Sequence, residues 1–198
     1  MAQKRRRRSN RRRRRKRDTA GIVLRLIVIL LILFIAGLIL WFIWHDRDLR
    51  SGVNALKKER YDDAIACFDD SIEKGKDEAE AYRGKGVALY ELEEYEEAAN
   101  AFESSLDKGG NPDSQICNLL ALSYIGQEKY QESIAWLEKG IADESGSREL
   151  KQEMRYQLVF AYEKTSQWDK AKECAQQYLA DFPDDQKMTR EYQFLQTR

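Results

Sequence analysis

The chain has 198 residues with equal numbers of basic and acidic side chains, 34 of each, so its formal net charge at pH 7 is zero. That balance conceals two regions of opposite charge. Residues 1–50 carry 15 of the basic and 3 of the acidic side chains, which leaves 19 and 31 for residues 51–198, a net charge of −12. A single uniform domain is therefore excluded, and the scarcity of proline (2) and glycine (11) favours helix throughout.

The first 20 residues form a basic tail that is too short and too charged to bury a core, so residues 1–20 are predicted to be disordered. Dense basic segments attract phosphates without sequence preference. Beside a membrane the nearest phosphates belong to anionic lipid, and the alternatives are RNA and acidic protein partners. The twelve basic residues are Lys4, Arg5, Arg6, Arg7, Arg8, Arg11, Arg12, Arg13, Arg14, Arg15, Lys16 and Arg17.

An apolar run follows from Ile22 to Trp44, 23 residues with a single charge at Arg25. As a helix it would measure roughly 34 Å, enough to cross a hydrocarbon core of about 30 Å. Residues 21–44 are therefore predicted to be a transmembrane signal-anchor helix, whose basic flank keeps the N-terminus cytoplasmic and the rest of the chain extracytoplasmic. A cleaved secretory signal is the alternative, but its apolar region is shorter and lacks bulky aromatics such as Trp44 at its end.

Beyond the membrane segment, the sequence repeats itself. The motif YDDA at Tyr61 recurs as YEEA at Tyr95, YQES at Tyr130 and WDKA at Trp168, at spacings of 34, 35 and 38 residues. Each motif begins a segment whose apolar residues return at i+3 and i+4, as in an amphipathic helix. The pattern predicts an all-α solenoid of about four helical hairpins. The predicted repeats are about 45–78, 79–112, 114–147 and 152–185, and residues 186–198 form a capping helix.

The second repeat carries Tyr82, Gly86, Leu89, Ala98 and Phe102 in the order typical of a tetratricopeptide repeat (TPR). Over about residues 45–185 the chain thus resembles the TPR family, and as a whole it is similar to bacterial single-pass membrane-anchored TPR proteins. The resemblance implies that the first helix of each repeat lines a groove for extended peptides or partner helices.

The resemblance also implies which residues face that groove. One column is Val53, Val87, Leu122 and Phe160; a second is Leu56, Tyr90, Ile125 and Glu163; a third is Leu49, Arg83, Asn118 and Tyr156. The groove would then be apolar along its centre and would take an apolar or amphipathic protein segment. In the alternative interpretation, the same residues pack between neighbouring helices.

The sequence contains no phosphate-binding loop, no ligand set with metal spacing and no nucleophile with a base, so we expect neither an enzyme nor a cofactor. The predicted function is a membrane-anchored protein-protein interaction module, an adaptor, scaffold or chaperone-like protein, which presents the groove outside the cell membrane. Membrane lipid would be contacted through residues 21–44 and the basic tail. The alternative is a tether whose tail binds RNA, ribosomes or anionic lipid, with the repeats serving assembly; the oligomeric state is left open.

Overall fold

Nine α-helices make up residues 47–198 in the computed structural model, which describes Arg25, residues 27–39 and residues 47–198. From the second helix onward, each helix contacts the next one along the chain, and no β-strand occurs in the described ranges. The all-α solenoid predicted from the sequence is confirmed. The helices are α1 (Arg47–Leu56), α2 (Tyr61–Glu73), α3 (Glu78–Glu91), α4 (Tyr95–Asp107), α5 (Ser114–Gly126), α6 (Tyr130–Ala142), α7 (Arg148–Lys164), α8 (Trp168–Asp181) and α9 (Gln186–Leu195).

The residues that precede the solenoid belong to a separate unit. Arg25 and residues 27–39 are helical, and the large apolar side chains there are 46–67% exposed. Of the helices that the structure describes, none is long and apolar enough to span a membrane. The basic tail at 1–20 and the remainder of the predicted membrane helix, 21–24, 26 and 40–44, lie outside the described residues.

The first helix of every pair ends in the same turn. In each turn the N–H of one residue donates to a carbonyl five positions earlier, as from Glu94 to Leu89 at 2.9 Å and from Gln167 to Tyr162 at 2.8 Å. These bonds satisfy carbonyls that would otherwise be open at the helix end. The turn requires a left-handed residue, and none of the four is glycine. They are Glu59, Glu93, Glu128 and Ser166, with φ of 57°, 62°, 59° and 58°.

Two glycines show why the helices of a pair approach so closely. A Cβ atom at Gly52 would lie 2.6 Å from the ring of Phe68, and one at Gly86 would lie 2.7 Å from the ring of Phe102. Both rings are fully buried. In these two pairs the phenylalanine of the second helix therefore packs directly on the backbone of the first helix, and any side chain at the glycine would push the ring away.

The last helix closes the apolar core. Met188 and Leu195 of α9 are fully buried and join a core cluster that extends from α5 through α8. Asp185 begins the helix, since its carboxylate accepts hydrogen bonds from the backbone N–H groups of Lys187 and Met188. The Tyr178 hydroxyl also donates to Asp185, at 2.6 Å, and this bond is the main reason why the pKa of Asp185 is lowered.

Polar contacts join the start of α5 to the end of α6 within the third pair. The Ser114 hydroxyl at the start of α5 lies 2.9 Å from the Gly140 carbonyl and 2.8 Å from the Asp143 carboxylate, which also accepts the backbone N–H of Ser114. Hydrogen bonds from Ser145 and then from Ser114 hold the pKa of Asp143 well below its usual range.

Candidate functional site

The first helices of the last three pairs lie side by side, since α3 contacts α5 and α5 contacts α7. Residues three or four apart on a helix share one face, so the predicted columns run across these helices. The pKa of the Tyr90 phenol on α3 is raised mainly by burial, and the negative charge of Glu153 on α7 adds to this shift. We call the side of α1, α3, α5 and α7 that carries the three columns the groove face.

The structure places the predicted groove residues in different environments. Leu49 and Leu56 pack on the core cluster of the first pair, and Val87 and Tyr90 pack on the cluster of the second. For these four residues, packing between neighbouring helices accounts for the apolar character. The groove face is therefore not uniformly available to a partner.

Other predicted groove residues remain accessible. Tyr156 is 43% exposed, Val53 is 39% exposed and Phe160 is 37% exposed. Leu122 and Ile125 are half-buried, yet neither belongs to the three core clusters or packs against them. Apolar side chains in contact with water across neighbouring helices form the kind of surface that protein partners cover.

Two polar residues of the groove face differ in their hydrogen bonding: Arg83 is paired, whereas the side-chain oxygen of Asn118 is not. The Arg83 guanidinium lies 3.3 Å from the Asp113 carboxylate and donates to the Gln115 side chain at 2.8 Å, so its charge is paired within the chain. Asn118 is 7% exposed, and its Oδ1 atom has no hydrogen-bond partner among the described residues. A buried, unpaired amide oxygen is costly unless a donor reaches it.

A small cavity lies where α7 meets α9. Its volume is about 50 Å³, and its lining combines aromatic, aliphatic and acidic side chains. Lys164 stands beside it, with its ammonium 5.2 Å from the centre of the Phe160 ring. The lining residues are Tyr156, Val159, Phe160, Glu163, Met188 and Glu191.

The two acids of this cavity face each other. The pKa of Glu163 is raised to about 7, mainly by burial and then by a hydrogen bond to the Glu191 carboxyl and the charge of that carboxyl, while Lys164 opposes the shift. A hydrogen bond between two carboxyls requires that one of them be protonated. Oε1 of Glu163 is buried without a hydrogen-bond partner in the described part of the chain.

Glu191 was not among the predicted site residues, although the sequence contains a signal for it. Met188 and Leu195 are the buried residues of α9, and Glu191 lies between them at i+3 from Met188. A carboxylate on the apolar stripe of a short helix is unusual, because its charge is brought towards the core. Such a residue marks a place where a partner for the charge is needed.

The cysteines show no sign of reactivity. All three are free thiols, Cys117 and Cys174 are buried, and burial raises the pKa of Cys174 to about 11. Among the described residues no group of His, Cys, Asp and Glu side chains could hold a metal ion. The single histidine, His45, lies outside these residues.

Comparison with solved structures shows the fold. YrrB, described as a TPR protein with an unusual peptide-binding site, has 18% identity and a TM-score of 0.68, covering 76% of this chain and 75% of its own. A MamA structure has 14% identity and a TM-score of 0.67, covering 76% and 80%. MamA 41-end from Desulfovibrio magneticus RS-1 has 19% identity and a TM-score of 0.59, covering 71% and 77%.

Sequence comparison identifies the family. A tetratricopeptide repeat model matches residues 49–114 and 93–148, and a second model of the same description matches residues 153–185. No curated protein shows a significant sequence match to this chain. Since the repeat models cover more than half of the sequence and the helices form the corresponding solenoid, the chain belongs to the tetratricopeptide repeat family.

Proposed function

We propose that this protein is a membrane-anchored interaction module that binds an apolar or amphipathic segment of a partner protein on the groove face. The accessible apolar side chains carry this proposal: Tyr156 and Phe160 are exposed, and Leu122 and Ile125 lie outside the core clusters. The related fold of YrrB, a protein described by its peptide-binding site, is consistent with this use.

The membrane anchor rests on the apolar run. The large apolar side chains of residues 27–39 are exposed on all sides of their helix, and a helix that is apolar all round is stable only when it is buried in a protein or in lipid. The twelve basic residues before the run favour a cytoplasmic N-terminus. The solenoid would then meet its partners outside the cell membrane.

The groove proposal predicts that acidic substitutions at its uncommitted apolar positions abolish partner capture. The full chain carrying Leu122→Glu and Ile125→Glu is crosslinked in intact membranes and compared with the wild-type chain. We expect capture of the partner to fall at least about tenfold, because a charge would be desolvated against an apolar segment. The matched control carries Ala66→Glu and Ala135→Glu, two exposed positions on second helices, and should keep its partner.

Equal capture by the groove variant and the control would contradict this assignment, provided that circular dichroism shows unchanged helicity. The second candidate function, a tether that works through the basic tail, is supported by the charge density of residues 4–17. Deleting these residues in a third arm of the same experiment separates the two. Partners lost with the tail but kept in the groove variant would favour the tether.

A further inference from the structure

We propose that the cavity between α7 and α9 is a subsite for a lysine side chain carried by the bound partner segment. The subsite rests on the proposed function, since it lies at one end of the groove face and adds a charge requirement to an otherwise apolar surface. The carboxyls of Glu163 and Glu191 form its acidic part, and the rings of Tyr156 and Phe160 its aromatic part.

Among the described residues, Lys164 is the cation that acts on Glu163, and it forms no salt bridge with this carboxyl. In the described part of the protein, no lysine or arginine forms a salt bridge with Glu163 or Glu191. The charged groups that face Glu163 are Glu191 of α9 and Lys164 of its own helix. The Lys164 ammonium stands over the rings of Phe160 and Tyr130, at 5.2 and 6.0 Å from their centres.

A lysine ammonium supplies what the cavity lacks. It has three N–H donors, so it can bond the carboxylates of both Glu163 and Glu191, which line the cavity. Aromatic faces attract cations, and those of Tyr156 and Phe160 are the exposed ones at this site. The volume of about 50 Å³ exceeds what one water molecule needs and suits the slim end of lysine better than the broad guanidinium of arginine.

The charge of the whole solenoid favours the same partner. Residues 51–198 carry a net charge of −12, so a basic segment is attracted towards this region before contact. An acidic segment would be repelled both by this field and by the two carboxyls. A cation in the cavity also favours the ionised form of Glu163, so that binding releases the proton of this carboxyl and strengthens as the pH rises through about 7.

The test uses N-acetyl-lysine methylamide as the probe, with N-acetyl-norleucine methylamide as the uncharged match. Binding to the full chain in non-ionic detergent is followed by the ring NMR signals of Tyr156 and Phe160. We expect saturable shifts with the lysine probe, an affinity at least about tenfold lower with the norleucine probe, and an affinity that rises at least about fivefold from about pH 5.5 to about pH 8.

Conservative variants separate charge from folding. Glu163→Gln and Glu191→Gln should each weaken lysine binding at least about fivefold, whereas Glu144→Gln, an exposed loop glutamate, should leave it unchanged. The subsite would be overturned if the two probes bound equally, or if no saturable shifts were seen in the millimolar range. It would also be overturned if the Glu163→Gln and Glu191→Gln double variant bound lysine fully, or if the arginine analogue bound more tightly than the lysine probe.

The probe experiment requires no partner, so it fails independently of the groove proposal. Lysine binding together with unchanged capture by the Leu122→Glu and Ile125→Glu variant would leave the subsite in place and remove the groove function. Loss of capture in that variant, with no binding of the lysine probe to the wild-type chain, would support the groove function and remove the subsite.

Discussion

The two ends of the groove face treat charge in opposite ways. Between α3 and α5, Arg83 is paired with Asp113 and bonded to Gln115, so the cation is neutralised by the next repeat. Between α7 and α9, Glu163 and Glu191 face each other, and the charge of Glu191 adds to the burial that raises the pKa of Glu163. At one end the charge is thus paired within the solenoid, whereas at the other the two carboxyls form no salt bridge. A cation of a partner would therefore bind more favourably at the second end.

The largest effect is expected when a cation is placed beside Glu163, so that the end between α7 and α9 is ion-paired like the end between α3 and α5. Glu191→Lys places a cation opposite Glu163, as Arg83 stands opposite Asp113. We expect the pKa of Glu163 to fall from about 7 towards its ordinary value of 4.5, which a ¹³C NMR titration of the carboxyl carbon would show. Glu191→Gln, which removes the like charge without adding a cation, should give only part of the fall because burial is the main cause. A pKa that stays near 7 with lysine at position 191 would rule out the paired geometry.

A smaller effect concerns the pH dependence of stability. Since the pKa of Glu163 is higher in the folded chain, the folded state binds more protons than the unfolded state between about pH 4.5 and 7. The unfolding free energy should therefore decline as the pH rises through this window and level off above it. After discounting for solvent screening, the loss is on the order of 1 kcal/mol.

Glu163→Gln should remove that decline and raise the Tm at pH 8 by about 2–4 °C relative to wild type. Calorimetry of both chains at several pH values measures it, with Glu144→Gln as the control. The lowered pKa values of Asp143 and Asp185 act in the opposite sense: their contribution is present above the unfolded pKa and is lost as the pH falls below it. Parallel curves for wild type and Glu163→Gln between pH 4.5 and 8 would contradict the assignment.

The smallest effect is expected at the paired end. Arg83→Met keeps the unbranched apolar stem of the side chain but removes the charge, leaving Asp113 and Gln115 to be solvated. Because both members of the pair are partly exposed, the cost in unfolding free energy should stay below about 1 kcal/mol in a urea titration. Binding of the lysine probe at the other end should not change. A loss of several kcal/mol, or a change in lysine binding, would show that the two ends are coupled.

Much of the solenoid follows from the sequence because its determinants are local. The aromatic residues Tyr61, Tyr95, Tyr130 and Trp168 begin the second helices of the four pairs, at the positions where the repeated motif begins. The small residue at Gly86 and the ring at Phe102 likewise predict a close helix pair, which the contact between them explains. These features depend on residues less than one repeat apart.

The groove face was only partly predictable. Helical spacing selects the residues of one face, but it does not say which of them a neighbouring helix covers. Val87 packs on the core, whereas Phe160 at the equivalent position of α7 remains exposed. The turns also depart from a simple expectation, since Glu59, Glu93 and Glu128 take the left-handed conformation that glycine adopts more readily.

The sequence by itself determined the helical class, the repeat period, the aromatic starts of the second helices and the separation of a basic, apolar segment from an acidic solenoid. Only the tertiary structure decided that Glu163 and Glu191 meet, that Asn118 is buried without a donor and that Arg83 is already paired. The reason is physical: periodicity acts through neighbours on one helix, whereas these contacts join residues about 30 positions apart, whose approach depends on how successive hairpins stack.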